Sequence, residues 1–371
     1  MKPFKLIAAG LVIVTGLFFS GCEHPDKGQK FKVGVIAPLT GEGARYGEAM
    51  KDGIDLAVAD INAGGGYRQQ QVEAVYQDDK FSVSEAIKGF NYLKDVSKVP
   101  VIFGSAASGV SKALAPLANQ YKTVLFSSIS TSDSLKFAGP YFFRNISANA
   151  MEATTAADFL LNRLHLKNIG VFYENNEYGL NMNAAFKEEF KGTIVFNQSY
   201  EFKQADFRNS IAAIKPKAFD AVFVQGTTWG IAMLVKQLRD NKITCPVITG
   251  DGGYGDEIKT IAGSAANGLY CTLPAIEDTT SAGYLKFKSN FMDKYKKIPD
   301  IYSVYSYDAV QMVFQAIRDE KSPVTGEQVK DKLKAITFTG LGGTYKFDQY
   351  GGVHIPFAIF QYKDKTYTKF K

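Results

Sequence analysis

Histidine, cysteine and tryptophan are scarce in this chain, with three His, three Cys and one Trp among 371 residues. His24, His165 and His354 stand far apart and in no metal-ligand spacing, so a histidine metal centre is not expected. A G-x-S-x-G elbow and a P-loop G-K-[ST] are both missing. Gly41-Glu42-Gly43 follows the first predicted strand and invites a dinucleotide reading, but the third glycine position holds Tyr46 and Gly47 comes one step late. A bulky ring where a pyrophosphate needs close backbone approach argues against that reading. No cofactor is expected, and the chain does not read as an enzyme. Lys and Arg number 43 against 37 Asp and Glu, yet they form no dense run, so nucleic acid is not implied as a partner.

Long apolar runs are also lacking except at the N-terminus. Lys2 and Lys5 precede an apolar stretch over residues 6–19, and no acidic residue occurs before Glu23. This pattern predicts a secretory signal peptide over residues 1–21, too short to span a membrane. Its end, Phe19-Ser20-Gly21-Cys22, resembles the bacterial lipobox, which implies Cys22 as a lipid anchor. Residues 22–30 are polar and without pattern, as a tether is. Without Lys2 and Lys5 the net charge of +6 falls to about +4.

The composition, 46% hydrophobic and 13% aromatic, supports a large core and two lobes. The stretch from Gly104 to Leu135 organises the first. Two apolar runs, residues 101–103 and 124–126, read as strands buried on both faces, with an amphipathic helix between them. Strands joined this way are parallel, and both carry hydroxyl-rich turns at their C-terminal ends, the edge where open parallel sheets bind ligands. Upstream, strands over 31–37 and 72–77 alternate with helices over 46–62 and 83–96, a parallel α/β pattern. Gly64-Gly65-Gly66 ends the first helix. Residues 141–147 break the rhythm and are expected to cross to a second lobe.

The alternation then restarts. Strands are expected near 168–173, 193–197, 219–224, 246–249 and 269–273, with helices between them. Two amphipathic helices follow over 281–295 and 303–318, then a turn-rich stretch over 340–352 and a terminal hairpin. Cys245 and Cys271 fall on predicted strands of one lobe. Outside the cytoplasm such cysteines can pair, and the sequence leaves both states open.

Several candidate binding residues share one placement, the C-terminal end of a strand or the start of the next helix: Tyr46, Ser108, Thr131, Tyr178, Trp229 and Asp251. The hydroxyl turns and the amide groups at a helix N-terminus suit a carboxylate, although an N-cap or ST-turn explains any single serine. Asp251, amid four glycines, suits an ammonium through a charge-assisted hydrogen bond. Tyr46, Tyr178 and Trp229 supply apolar walls with polar tips. Among Tyr302, Tyr305 and Tyr307, Tyr305 is the one expected toward the cleft.

The segment VGVIAPLTGEGARYGEAMKDGIDLAVADINAGGG (residues 33–66) resembles the opening of the leucine/isoleucine/valine-binding protein family, the receptors of branched-chain amino acid ABC transporters. The resemblance continues through Asp78-Asp79, GSAASGVSKALAP, SSISTS, YENNEYG, ITGDGGYGDE and YSYDAVQ, over nearly the whole chain beyond the signal. It implies an α/β, type I periplasmic-binding fold of two Rossmann-like lobes joined by three hinge crossings. The lobes are expected over 31–145 plus 276–335 and over 146–275 plus 336–371. The resemblance implies Ser108 and Thr131 as carboxylate-binding hydroxyls with the Gly109 amide beside them, Ile129 as a carbonyl for the ammonium, Tyr46 and Tyr178 as pocket tyrosines, and Asp251 as the acidic ammonium partner. Trp229 and Ile129 depart from the family pattern.

The expected function is capture of an amino acid (branched-chain, other apolar or aromatic) by lobe closure and delivery to an ABC permease. The protein is expected as a monomer, held at the membrane surface by its N-terminal lipid. The alternatives are a receptor of the same fold for amides, urea-like compounds or aromatic carboxylates, and a sensory ligand-binding module.

Overall fold

The computed structural model describes Met1, residues 30–321 and residues 323–370. The expected signal peptide beyond Met1, Cys22 and nearly all of the tether lie outside the described residues. The first lobe opens with β1 (Phe31–Ala37), α1 (Ala44–Ala63), β2 (Val72–Asp78), α2 (Val83–Tyr92), β3 (Val101–Gly104), α3 (Ser108–Tyr121), β4 (Val124–Ser127) and β5 (Phe142–Arg144). These strands form one parallel sheet in the order β2-β1-β3-β4-β5. β3 and β4 are buried at every position, which explains why they read as unbroken apolar runs. Gly66 closes the exit from α1 with φ 74°, and a Cβ there would lie 2.1 Å from Gln70 O, so only glycine fits.

Part of the expected crossing is a strand. Phe142 and Phe143 are buried, pair with β4 as β5, and fill the edge of the first core. The chain leaves the first lobe only after Arg144.

The second lobe continues with α4 (Asn149–Asp158), β6 (Asn168–Glu174), α5 (Glu177–Glu189), β7 (Thr193–Tyr200), α6 (Arg208–Ile214), β8 (Ala221–Gln225), α7 (Thr228–Asp240), β9 (Val247–Thr249) and β10 (Tyr270–Pro274). The chain then returns to the first lobe with α8 (Ala282–Tyr295), α9 (Ile301–Ala316), α10 (Gly326–Ala335), β11 (Thr337–Thr339) and β12 (Thr344–Lys346). It ends in the second lobe with β13 (Phe357–Lys363) and β14 (Thr366–Lys369), an antiparallel hairpin that extends the sheet to β14-β13-β10-β9-β8-β6-β7. Helix α10 had no counterpart in the sequence reading, although Thr325 and Gln328 form a capping box at its start.

The packing of residues 337–347 differs from a lobe boundary at residue 336. Phe338, Tyr345 and Phe347 are buried with the first core, and Phe347 meets the edge of Phe143 at 5.0 Å. Asp308 of α9 fixes this hairpin, accepting from the amides of Leu341 (2.9 Å) and Gly342 (2.8 Å) and from the Tyr345 hydroxyl (2.7 Å). Residues 353–356 run beside residues 147 and 275, where the other two crossings are expected: the Ser147 hydroxyl donates to Ile355 O (2.8 Å), and the Ala275 amide donates to Pro356 O (2.8 Å). Cys271 is buried in β10, Cys245 sits in the bend before β9, and both are free thiols.

Candidate functional site

The C-terminal strand ends of both lobes face one cavity of about 250 Å³. Tyr46, Ser108, Gly109, Ile129, Thr131, Tyr178 and Asp251 line it together. Trp229 and Tyr305 do not. Trp229 is half-buried at the start of α7, outside the lining, while Gly226 and Thr227 of the preceding turn face the cavity. The Tyr305 hydroxyl donates to Ala275 O (3.1 Å) at the hinge, and its ring meets the edge of Tyr345. Tyr302, one helical turn earlier, takes the place expected of Tyr305.

The first-lobe wall is built on α3. Its N-cap residue is Ala107, which has no side-chain acceptor, so the amides of the first turn remain directed at the cavity with the positive end of the helix dipole behind them. The surrounding serines are largely scaffolding. Ser105 O accepts from Ser127 Oγ (2.8 Å) and Ser130 Oγ (3.0 Å), and Ser111 Oγ lies 2.8 Å from Ser130 Oγ. Ser108 Oγ accepts from the Ser132 amide (3.3 Å), while the Arg144 guanidinium donates to Ser132 O (2.9 Å). The two hydroxyl turns are thus locked to one another before any ligand arrives.

The second-lobe wall centres on Asp251, which is buried. Its Oδ1 accepts from the Tyr178 hydroxyl (2.9 Å) and its Oδ2 from the Tyr302 hydroxyl (3.0 Å), so one tyrosine from each lobe holds the carboxylate. The Asp251 amide donates to Glu152 Oε1 (2.6 Å), which also accepts from the Thr272 hydroxyl. Burial raises the pKa of Asp251, against the pull of its tyrosine hydrogen bonds. Burial and the nearby Asp251 charge raise Glu152 well above the ordinary carboxylate range. Glu152 Oε2 and both ends of the Gln225 amide have no hydrogen-bond partner among the described residues. No Lys, Arg or His is among the described residues lining the cavity. Arg45, half-buried and outside the lining, stands behind the rings of Tyr46 (4.9 Å) and Tyr302 (5.6 Å) and is committed to Asp300 at 2.9 Å.

The lobes are closed over this cavity. The Tyr46 hydroxyl lies 3.0 Å from Thr228 Oγ1, Lys112 pairs with Glu177 (3.1 Å), and Ser134 Oγ donates to the same carboxylate (2.6 Å). Glu177 is partly buried, and the hydrogen bonds from Ser134 and Lys112 outweigh that burial and lower its pKa. Lys203 and Glu42 meet across the opposite lip at 2.9 Å.

Residues 30–366 match the periplasmic binding protein family over nearly the whole described chain. The chain belongs to that family. Among curated relatives of this periplasmic binding protein is the leucine-, isoleucine-, valine-, threonine-, and alanine-binding protein of Pseudomonas aeruginosa, 24% identical over 349 residues and 92% of each chain. Another is the leucine-specific-binding protein of Salmonella typhimurium, 23% identical over 355 residues, 94% of this chain and 95% of the relative. The type I periplasmic fold is shared with the branched-chain amino acid transporter substrate binding protein of Streptococcus pneumoniae, solved with isoleucine: TM-score 0.86, 27% identity, 92% of this chain and 100% of that one. It is shared equally with a solute binding protein of R. palustris solved with benzoate: TM-score 0.84, 22% identity, 92% of this chain and 95% of that one.

Four features of this binding protein's site escaped the sequence reading. Phe81 and Phe202 lie in loops, where no periodicity marks a side chain's direction. Glu177 is the first residue of α5 and reads as an ordinary first-turn acid. Glu152 lies inward on α4 among small apolar residues; an acid on that face was the available signal.

Proposed function

We propose that this periplasmic binding protein captures one L-amino acid with an apolar side chain, branched-chain, other aliphatic or aromatic, and delivers it to an ABC permease. The observation that carries this reading is the polarity of the cavity. The open first turn of α3 attracts a carboxylate, and across from it Asp251 is a buried acid with no cation in the lining. A bound α-ammonium supplies the missing positive charge and shares the carboxylate with Tyr178 and Tyr302. Ser108, Gly109 and Thr131 would take the α-carboxylate, Ile129 would offer its carbonyl to the ammonium, and Tyr46 would wall the side chain. The names of the curated relatives and the isoleucine complex support the same class of ligand.

On this reading the two bodies that open and close are residues 31–145 with 276–352, and residues 146–275 with 353–371. The strand-to-strand crossings act as hinges. Export by the signal peptide and lipidation at Cys22 would hold a monomer on the extracytoplasmic side of the membrane. The test is a thermal-shift screen against the common L-amino acids, amides and aromatic acids. Stabilisation by a few apolar amino acids supports the proposal. Stabilisation by amine-free ligands alone favours the second reading, an aromatic-carboxylate receptor, which the benzoate-bound neighbour and the aromatic lining recommend.

A further inference from the structure

The wall that runs outward from Asp251 is aromatic. Tyr302, hydrogen-bonded to Asp251, lies 5.7 Å from Tyr46; Tyr46 stacks on Phe81 at 6.1 Å; and Phe81 stacks on Phe202 at 6.0 Å with 22° between the rings. The first three rings belong to the first lobe and the last to the second. Phe202 is 36% exposed and Val83, also in the lining and two residues from Phe81, is 41% exposed, so this end is the mouth of the cavity.

Phe81 is held there against its backbone preference. Its φ is 61°, in the left-handed region that a bulky side chain rarely adopts. Such outliers persist where the surroundings over-determine them, and they gather at binding sites. Here the surroundings are identifiable. The Phe81 amide donates to Asp79 Oδ1 (2.8 Å), the Ser82 amide to Asp79 O (2.7 Å), and Ser105 Oγ to Asp79 Oδ2 (2.6 Å), which anchors the turn to the floor of the first lobe. Gly43 leaves room for the ring, since a Cβ there would lie 2.4 Å from Phe81 Cδ2. On the other lip Lys203, also left-handed at φ 69°, follows Phe202 directly and meets Glu42 of the first lobe at 2.9 Å.

We infer that Phe81 and Phe202 are the specificity-determining pair of this pocket, a cap of one ring from each lobe against which the ligand's apolar side chain ends. The inference rests on the amino-acid reading above. The polar groups fix the backbone of the ligand at the inner end, so the distance to the stacked rings sets the longest side chain that the closed cavity accepts. Asp79 is a positioning residue, acting through the turn that aims Phe81.

The test is calorimetric titration of wild type and Phe202→Ala with L-alanine, L-leucine, L-phenylalanine and L-tryptophan. The pair predicts that F202A weakens leucine about tenfold, leaves alanine within about twofold, and moves the ranking about tenfold toward tryptophan, as lost contact and added length dictate. An equal loss for all four ligands, or no change in ranking, overturns the inference, because it makes the rings a closure contact and nothing more. Failure of wild type to bind any of the four counts against the amino-acid reading instead. Should F202A melt early without ligand, Phe202→Leu, which keeps apolar bulk but shortens the reach, carries the same comparison.

Discussion

The backbone N–H of Asp251 lies 2.6 Å from Glu152 Oε1, so the acid that faces the cavity is hung from a second acid that is wholly buried. Among the described residues neither has a basic side chain in hydrogen-bond contact. The buried pair is therefore a local electrostatic cost, which the ammonium of the proposed ligand would offset on binding.

Burial and the Asp251 charge raise the Glu152 pKa above its unfolded value, so the folded state binds this proton more tightly than the unfolded chain does. Its contribution to stability is full below about pH 4, the ordinary Glu range, and is lost as pH rises through the raised folded value. Glu152→Gln keeps the acceptor for the Asp251 amide and removes the titration. Melting temperatures measured without ligand across a pH series are expected to show a smaller decline with rising pH in E152Q than in wild type.

Asp251→Asn removes the charge while leaving groups for Tyr178 and Tyr302 to meet. Affinity for an amino acid is expected to fall about 100-fold, or ~2.7 kcal/mol, as loss of one charged hydrogen-bonded partner warrants. Titration calorimetry checks this. In wild type the same interaction weakens as pH falls through the raised Asp251 value, earlier than for an exposed carboxylate.

Gly250 tests the geometry of the acid wall without touching a charge. A Cβ at this position would lie 2.5 Å from the Tyr178 hydroxyl and 3.0 Å from Glu152 Oε1. Gly250→Ala is expected to push Tyr178 off Asp251 and to weaken binding about tenfold or more, with the α/β fold intact by circular dichroism.

Tyr305 and Tyr302 show what the sequence could and could not settle. The regular elements were legible because buried parallel strands leave apolar runs and α1 leaves a clear stripe. The cavity lining was legible where it sits just after a strand or at the start of the next helix, as Tyr46, Ser108, Thr131 and Asp251 do. On α9 the reading began at Ser303, whereas Asp300 caps the helix and Ile301 opens it. With the first turn left out of the helix, the register favours Tyr305 over Tyr302, the tyrosine that reaches Asp251. Trp229 does stand at a helix start, but the chain reaches the cavity earlier, at Gly226 and Thr227, where Glu174 accepts from the Thr227 amide (2.6 Å). The sequence pattern puts the hairpin at 337–346 with the second lobe, whereas it packs with the first core through Asp308, one acid on a largely apolar helix.

Arg45 bridges the lobes from a half-buried position, bonded to Asp300 in its own lobe and 3.4 Å from Thr228 Oγ1 and 3.7 Å from Glu257 in the other. Lys203 and Glu42 bridge them in solvent. Arg45→Ala is expected to speed ligand dissociation about tenfold in stopped-flow fluorescence, since the closed state loses a desolvated contact and its ring stacking. Lys203→Ala is expected to change it by less than about threefold, because exposed pairs are screened.

The most direct measurement is titration of the wild-type protein with L-leucine and L-phenylalanine beside their amine-free counterparts, 4-methylpentanoate and 3-phenylpropanoate. Each pair differs only in the ammonium that Asp251 is held to receive. At least one of the amino acids is predicted to bind about 100-fold tighter than its counterpart. Equal binding within a pair, or a preference for the amine-free acid, contradicts the account.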